Sequence, residues 1–199
     1  MNIKELNISD VNAVVKIHQN AFSGFFLTQL GIKFLRVYYT SCIKSKLSTI
    51  AVGIFSPNDI LLGFSIGSVQ SKGYYKTILK DNFVDFFSIG LYLIFTKPLA
   101  LIRLSKNMNK IKQESDDGLY CELLSIGIDS SQKGKGHGTV LLEAFETEAL
   151  KRGIKKIALT TDFNNNNGVI AFYKKARYKV FYEFITYPNR KMYKFIKTL

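Results

Sequence analysis

Residues 130–150 read SSQKGKGHGTVLLEAFETEAL, with Gly134, Gly136 and Gly138 on alternate positions among Lys133, Lys135 and His137, directly ahead of a helical pattern. Glycine lacks a Cβ, so the backbone there comes within hydrogen-bonding range of a ligand, and the first N–H groups of a helix have no partner inside that helix. Such a place suits phosphate. The bland reading is a flexible Gly- and Lys-rich connection from strand to helix. A P-loop requires Lys-Ser/Thr after its last glycine, which His137-Gly138-Thr139 does not provide. A dinucleotide fold gains from Asp162 at the end of the next strand, where a ribose-binding acid belongs. Its third glycine, however, is replaced by Thr139, and too little chain follows for further parallel strands.

The elements that must position this turn belong to a chain of 199 residues, 47% hydrophobic, long enough for one good core and too short for two comfortable domains. We expect a single domain over 1–199. A formal charge of +13 asks for an anionic partner: nucleic acid, an anionic membrane face or a phosphate-rich small ligand. The lysines are scattered rather than blocked, which also describes an ordinary solvated surface, and nucleic acid is not expected. Cys42 and Cys121 offer neither a C-x-x-C pair nor, with histidine, metal-ligand spacing, so we expect unpaired thiols, no metal and a reducing, cytoplasmic setting. The start MNIKELNISD has no apolar signal core.

Periodicity predicts a strand in MNIKELNI, a helix over VNAVVKIHQNAF, a second helix over 27–46, and β-rich runs STIAVGIFS and ILLGFSIGSV joined at Pro57-Asn58-Asp59. LYCELLSIGID follows as a strand, 136–152 as a helix, KKIALTTD as a strand, 165–176 as a helix, and YKVFYEFITY with RKMYKFIKT as closing strands. That order implies an α/β (α+β) fold, a mixed sheet of about seven strands flanked by helices. Residues 71–117 interrupt it as a helical insertion, ending in a polar run, NKIKQESDDG, that reads as a loop. Within it, Asp85 and Lys97-Pro98 cut NFVDFFSIGLYLIFTKPLALIRL to an uninterrupted apolar run too short for the roughly 20 residues a membrane span requires. An amphipathic hairpin that covers a pocket or lies on a membrane face suits it better.

The stretch from Ser125 to Phe181 resembles the acetyl-CoA-binding core of the GNAT acyltransferase superfamily. The family's pattern of Arg or Gln, two residues, Gly, one residue, Gly or Ala falls on Lys133, Gly136 and Gly138, and its later Asn…Ala-Ile-x-x-Tyr on Asn166, Val169, Ile170 and Tyr173. Lys133 stands where Arg or Gln is usual and Val169 where Ala is usual. The likeness covers residues 118–187 well and 1–70 only by element order.

The resemblance implies a strand near Leu124 to Ile128, including Ile126, Gly127 and Ile128, that splays from its neighbour to pair with pantetheine. A backbone N–H near Ile126 would serve as oxyanion donor. The turn Lys133, Gly134, Lys135, Gly136, His137, Gly138 and Thr139 would hold the pyrophosphate, and Asn166 would meet the cofactor's arm. Tyr173 would act as acid toward the departing thiolate. Glu122, flanked by Cys121, Leu123 and Leu124, is similarly placed to the base glutamate of histone-type members, with a raised pKa expected from those apolar neighbours. Its bland reading is a strand glutamate paired with a lysine, and that of Tyr173 a core aromatic. His18 and His137 read as structural or solvated. The implied activity is acetyl transfer from acetyl-CoA to a primary amine, with the insertion shaping the acceptor side for an amino sugar, another small amine or a peptide amine. A non-catalytic acyl-CoA-binding or membrane-associated module, and a dinucleotide enzyme, remain as alternatives.

Overall fold

A computed structural model describes residues 1–108 and 116–199, so most of the polar run expected as a loop, NKIKQES, lies outside the described residues. Seven strands form one sheet in the order β1-β2-β3-β4-β5-β7-β6. They are β1 (Asn2–Glu5), β2 (Thr49–Phe55), β3 (Leu61–Ser68), β4 (Cys121–Ile128), β5 (Lys156–Asp162), β6 (Lys179–Thr186) and β7 (Arg190–Thr198). All neighbours are antiparallel except β4 and β5, which are parallel and need the crossover helix between them.

Helices α1 (Val11–Ala21), α2 (Phe26–Leu30), α3 (Ile32–Lys44), α4 (Tyr74–Asp81), α5 (Phe83–Thr96) and α6 (Pro98–Met108) precede β4, while α7 (His137–Lys151) and α8 (Asn167–Lys175) follow it. The helical stripe Val11, Val14, Val15 and Ile17 of α1 joins Leu35 and Tyr39 of α3 and Ile89 and Leu93 of α5 in a core on one face of the sheet. Leu142 and Phe145 of α7 and Tyr173 of α8 cover the other face, against Cys121, Leu123, Leu159 and Phe195.

The helix predicted over 27–46 is instead two, broken at Gly31. There φ is +95°, and an added Cβ would lie 3.1 Å from Lys97 Nζ. Lys97, from the junction of α5 and α6, donates to Gln29 O at 2.6 Å, a carbonyl that the break releases from the helix ladder. A distant lysine thus satisfies the acceptor that a local period would have paired.

Candidate active site

Strand β4 carries the geometry that matters. It pairs with β5 only through Cys121, Glu122 and Leu123, opposite Ile157, Ala158 and Leu159, although both strands continue beyond. On its other side, Ile66 faces Ser125 and Gly67 faces Leu123, so Leu124 is an extra, bulged residue. Asp129 N–H bonds Leu62 O at 2.9 Å. Counting back along the strand, the N–H groups of Gly127 and Ser125 face β3, whereas those of Ile126 and Ile128 face the edge from which β5 has parted. The result is a wedge whose β4 wall presents unpaired main-chain donors and acceptors.

The wedge leads to the glycine turn. Asp129 Oδ1 accepts from Ser131 N at 3.0 Å and Ser131 Oγ at 2.6 Å, fixing the exit from β4. Lys133 N–H reaches Ser130 O, and the next N–H with an acceptor is that of Thr139, on Gly136 O. Among the described residues, the N–H groups of 134 to 138 have none. Gly134 and Gly136 have φ of +78° and +79°, Gly136 serving as N-cap of α7 in a conformation that strains any residue with a Cβ. Gly138 has no such backbone demand; a Cβ there would rest 3.8 Å from Phe172. Lys133 and Lys135 are exposed beside the turn, and His137 begins α7 with its Nδ1 buried and unpartnered. Successive free donors at a helix N-terminus flanked by ammonium groups fit a pyrophosphate.

Glu122 and Tyr173 lie on opposite faces of the sheet. Tyr173 is 6% exposed and packs on Phe172, Tyr178 and Phe195. Burial pushes its phenol well above the ordinary value, so the hydroxyl keeps its proton at neutral pH. Phe195 pairs with Leu159, which pairs with Leu123, so Tyr173 sits beside the row where the wedge closes.

Glu122 does not see the apolar residues next to it in sequence, because Cys121 and Leu123 point into the core of α7 and α8. Its carboxylate instead accepts from Ser71 Oγ and from Lys194 Nζ, the latter on β7 and itself 5% exposed. The expectation of a carboxyl in apolar surroundings is therefore replaced by a built ion pair. Beside it, buried Asp116 accepts from Tyr120 OH at 2.8 Å, from Tyr182 OH and from Gly118 N–H. Burial alone would raise the Asp116 pKa, but those donors and the nearby Lys194 charge outweigh it and hold the carboxyl low. Burial, then the same carboxylate, pushes both phenols up. Sequence reasoning missed Ser71, Lys194, Asp116, Tyr120 and Tyr182. Only the alternation of RKMYKFIKT signalled that Lys194 shares a sheet face with residues two positions away.

Asn166 occupies the N-cap position of α8, and its Nδ2 donates to Thr161 Oγ1 at 2.7 Å and Asp162 O at 3.1 Å. Asp162, the acid that a dinucleotide fold would turn toward a ribose, is engaged by Arg190 through both oxygens. His18 is buried, with Nδ1 2.6 Å from Tyr39 OH and Nε2 3.1 Å from Thr28 Oγ1; burial lowers its pKa to about 4 and keeps the ring neutral. Tyr39 OH in turn lies 3.2 Å from Ser125 Oγ, next to the β4 bulge. His18 thus braces the wedge from behind rather than lining it.

Residues 63–177 match the acetyltransferase (GNAT) family, so this chain belongs to that family. A PaiA N-acetyltransferase from Thermoplasma acidophilum, solved with coenzyme A, superposes with a TM-score of 0.60 at 17% identity, covering 100% of this chain and 98% of that one. An N-acetyltransferase from Staphylococcus aureus Mu50 gives 0.64 at 15% identity, covering 99% and 97%. These likenesses establish the fold. By sequence, a protein of Staphylococcus epidermidis provisionally named as antiporter subunit mnhE2 is 33% identical over 103 residues, 51% of this chain and 59% of that one. The aligned stretch thus spans about three fifths of that relative's length. Uncharacterized protein YxbD of Bacillus subtilis is 43% identical over 60 residues, 30% of this chain and 36% of that one.

Proposed function

We propose that this chain transfers the acetyl group of acetyl-CoA to a primary amine by direct attack in a ternary complex. The observation that carries the reading is the parting of β4 from β5 beyond Leu123, continuous with the free N–H groups of 134 to 138. Pantetheine amides would complete the open edge of β4, as a strand would, while the turn takes the pyrophosphate. The amine nitrogen attacks the thioester carbonyl carbon, and Ile126 N–H, aimed into the wedge, stabilises the oxyanion. Collapse breaks the C–S bond; Tyr173, whose phenol carries its proton at neutral pH, gives that proton to the sulfur. Glu122, directly or through water, takes the proton that the ammonium loses before attack; the second proton, shed by nitrogen once the C–N bond has formed, passes to solvent, from which Tyr173 regains its own.

The acceptor reaches this centre as an ammonium ion. Two carboxylates, Glu122 and Asp116, share one ammonium, Lys194, in an acceptor-side cluster that also holds the Tyr120 and Tyr182 phenols. That composition favours a cation within a chain whose formal charge is +13. Amino sugars and other small amines suit a cluster of phenols and carboxylates. The free, buried thiols of Cys42 and Cys121 fit a reducing cytoplasm. Release of free CoA thiol from acetyl-CoA, measured against a panel of amino sugars, polyamines and peptide N-termini, tests the reading. Acceptor-dependent release supports it; binding of acetyl-CoA with no release for any amine would favour a non-catalytic acyl-CoA-binding module.

A further inference from the structure

Helix α5 is apolar almost all the way round, with Asp85 as its one charged residue. Such helices are ordinarily buried on every side. Here Ile89 and Leu93 are buried against the core of α1 and α3, with Phe86 packed beside them. Val84, Phe87, Leu91, Ile94 and Phe95, spaced three or four apart and so grouped on the opposite side, are exposed, Phe95 by 85%. Leu99, three residues beyond the end of α5 at the start of α6, is 80% exposed as well. Three helices pack against α5 and each carries exposed cations: Lys33 and Arg36 on α3, with Lys33 Nζ 4.3 Å above the Tyr92 ring, Lys76 and Lys80 on α4, and Lys106 on α6. The acids carried by α3 to α6 are Asp81, at the end of α4, and Asp85, in the first turn of α5.

We propose that the outer face of α5, with Leu99, docks on an anionic membrane surface, lying in the interface rather than crossing it. Fourteen residues make a helix about 21 Å long, short of the roughly 30 Å hydrocarbon core, and no helix among the described residues is long and apolar enough to span it. A ridge of large apolar side chains framed by lysine and arginine has the chemistry of interfacial helices, the rings entering the acyl boundary while the cations meet lipid phosphates. A second copy of this chain fits less well. A two-fold contact through α5 would set each frame of cations against its own image. The proposal is independent of the acetyl-transfer chemistry.

The chain contains no tryptophan, so Phe95→Trp installs a single tryptophan, excited apart from the tyrosines at the red edge of its absorption, at the most exposed ring of the stripe. With vesicles of phosphatidylglycerol and phosphatidylcholine, its emission should shift to the blue and become shielded from acrylamide; with phosphatidylcholine alone the effect should be at least tenfold weaker. Flotation of the otherwise unaltered chain should show the same preference. Phe87→Glu should abolish flotation, and Lys80→Ala should weaken it about fivefold, the factor for one cation near an anionic surface. Both positions are exposed, so an unchanged melting temperature confirms that folding is not the cause. Absence of any shift or flotation with anionic vesicles overturns the proposal. A blue shift that appears without lipid and grows with protein concentration, alongside dimers in sedimentation equilibrium, overturns it in favour of self-association.

Discussion

Replacing Glu122 by glutamine preserves shape and removes the charge that faces Lys194. The two side chains are 17% and 6% exposed, so water compensates little, and removing one partner of a buried ion pair costs about 3–5 kcal/mol when nothing replaces it. Two features lower that figure. The glutamine carbonyl still accepts from Lys194, and the Asp116 carboxylate lies near enough to interact with the same ammonium. The expected loss is about 2 kcal/mol, which for a chain of this size lowers Tm by about 4–8 °C. The kinetic effect should be larger: loss of a general base removes about 10²–10⁴ in turnover at neutral pH. An alkyl amine titrates near 10.4, so the variant's rate should climb about tenfold per pH unit toward that value as free amine replaces ammonium. Lys194→Met separates the two roles, since it disrupts the same pair but keeps the carboxylate. Thiol release from about pH 6 to 10, run beside thermal denaturation, gives both readouts. If Glu122→Gln loses stability but keeps the parent rate across that range, Glu122 is a strut and the base assignment is refuted.

Gly138→Val should lower acetyl-CoA affinity more than tenfold in calorimetry while leaving Tm nearly unchanged, because the added side chain meets only the edge of Phe172 at ordinary contact distance inside the protein. Tyr173→Phe should cost about 10² in turnover with little change in cofactor affinity, measured by thiol release and calorimetry. At Gly67 an added Cβ would lie 2.5 Å from Glu122 O and 2.4 Å from the Phe145 ring; Gly67→Ala should therefore destabilise by about 1–3 kcal/mol in urea unfolding. His18 stays neutral in the fold down to about pH 4 but protonates near 6.5 when unfolded. Stability should therefore fall as pH drops from about 6.5 to 4, by up to about 1.4 kcal/mol per pH unit, and level off below; His18→Gln should flatten that limb of the stability profile.

The glycine turn was legible because its cause is local: alternate glycines fix which backbone angles are free, and the helix start lies within the same ten residues. The succession of strands and helices along the chain was legible for a similar reason, since each strand is a short β-rich run bounded by its own turn residues. What pairs across the sheet was not. Nothing near Glu122 in sequence announces Lys194 or Ser71, and the apolar flanks of Glu122 suggested surroundings that the strand's alternation denies it. The break at Gly31 depends on a lysine in the segment between β3 and β4. Periodicity marked α5 as apolar, but only the packing of Ile89 and Leu93 on the core decides that Phe87 and Phe95 face outward.

Acetyl transfer as proposed requires acetyl-CoA to lie in the wedge with its pyrophosphate on the turn. Amide chemical shifts recorded by NMR during titration with acetyl-CoA test that placement residue by residue. The prediction is that the amides of Gly134 through Gly138, with Ile126 and Ile128 on the open edge of β4, move most and saturate together, while NAD at equal concentration leaves them in place. Saturable binding of acetyl-CoA that leaves those amides unmoved, with the shifts elsewhere on the chain, would contradict it.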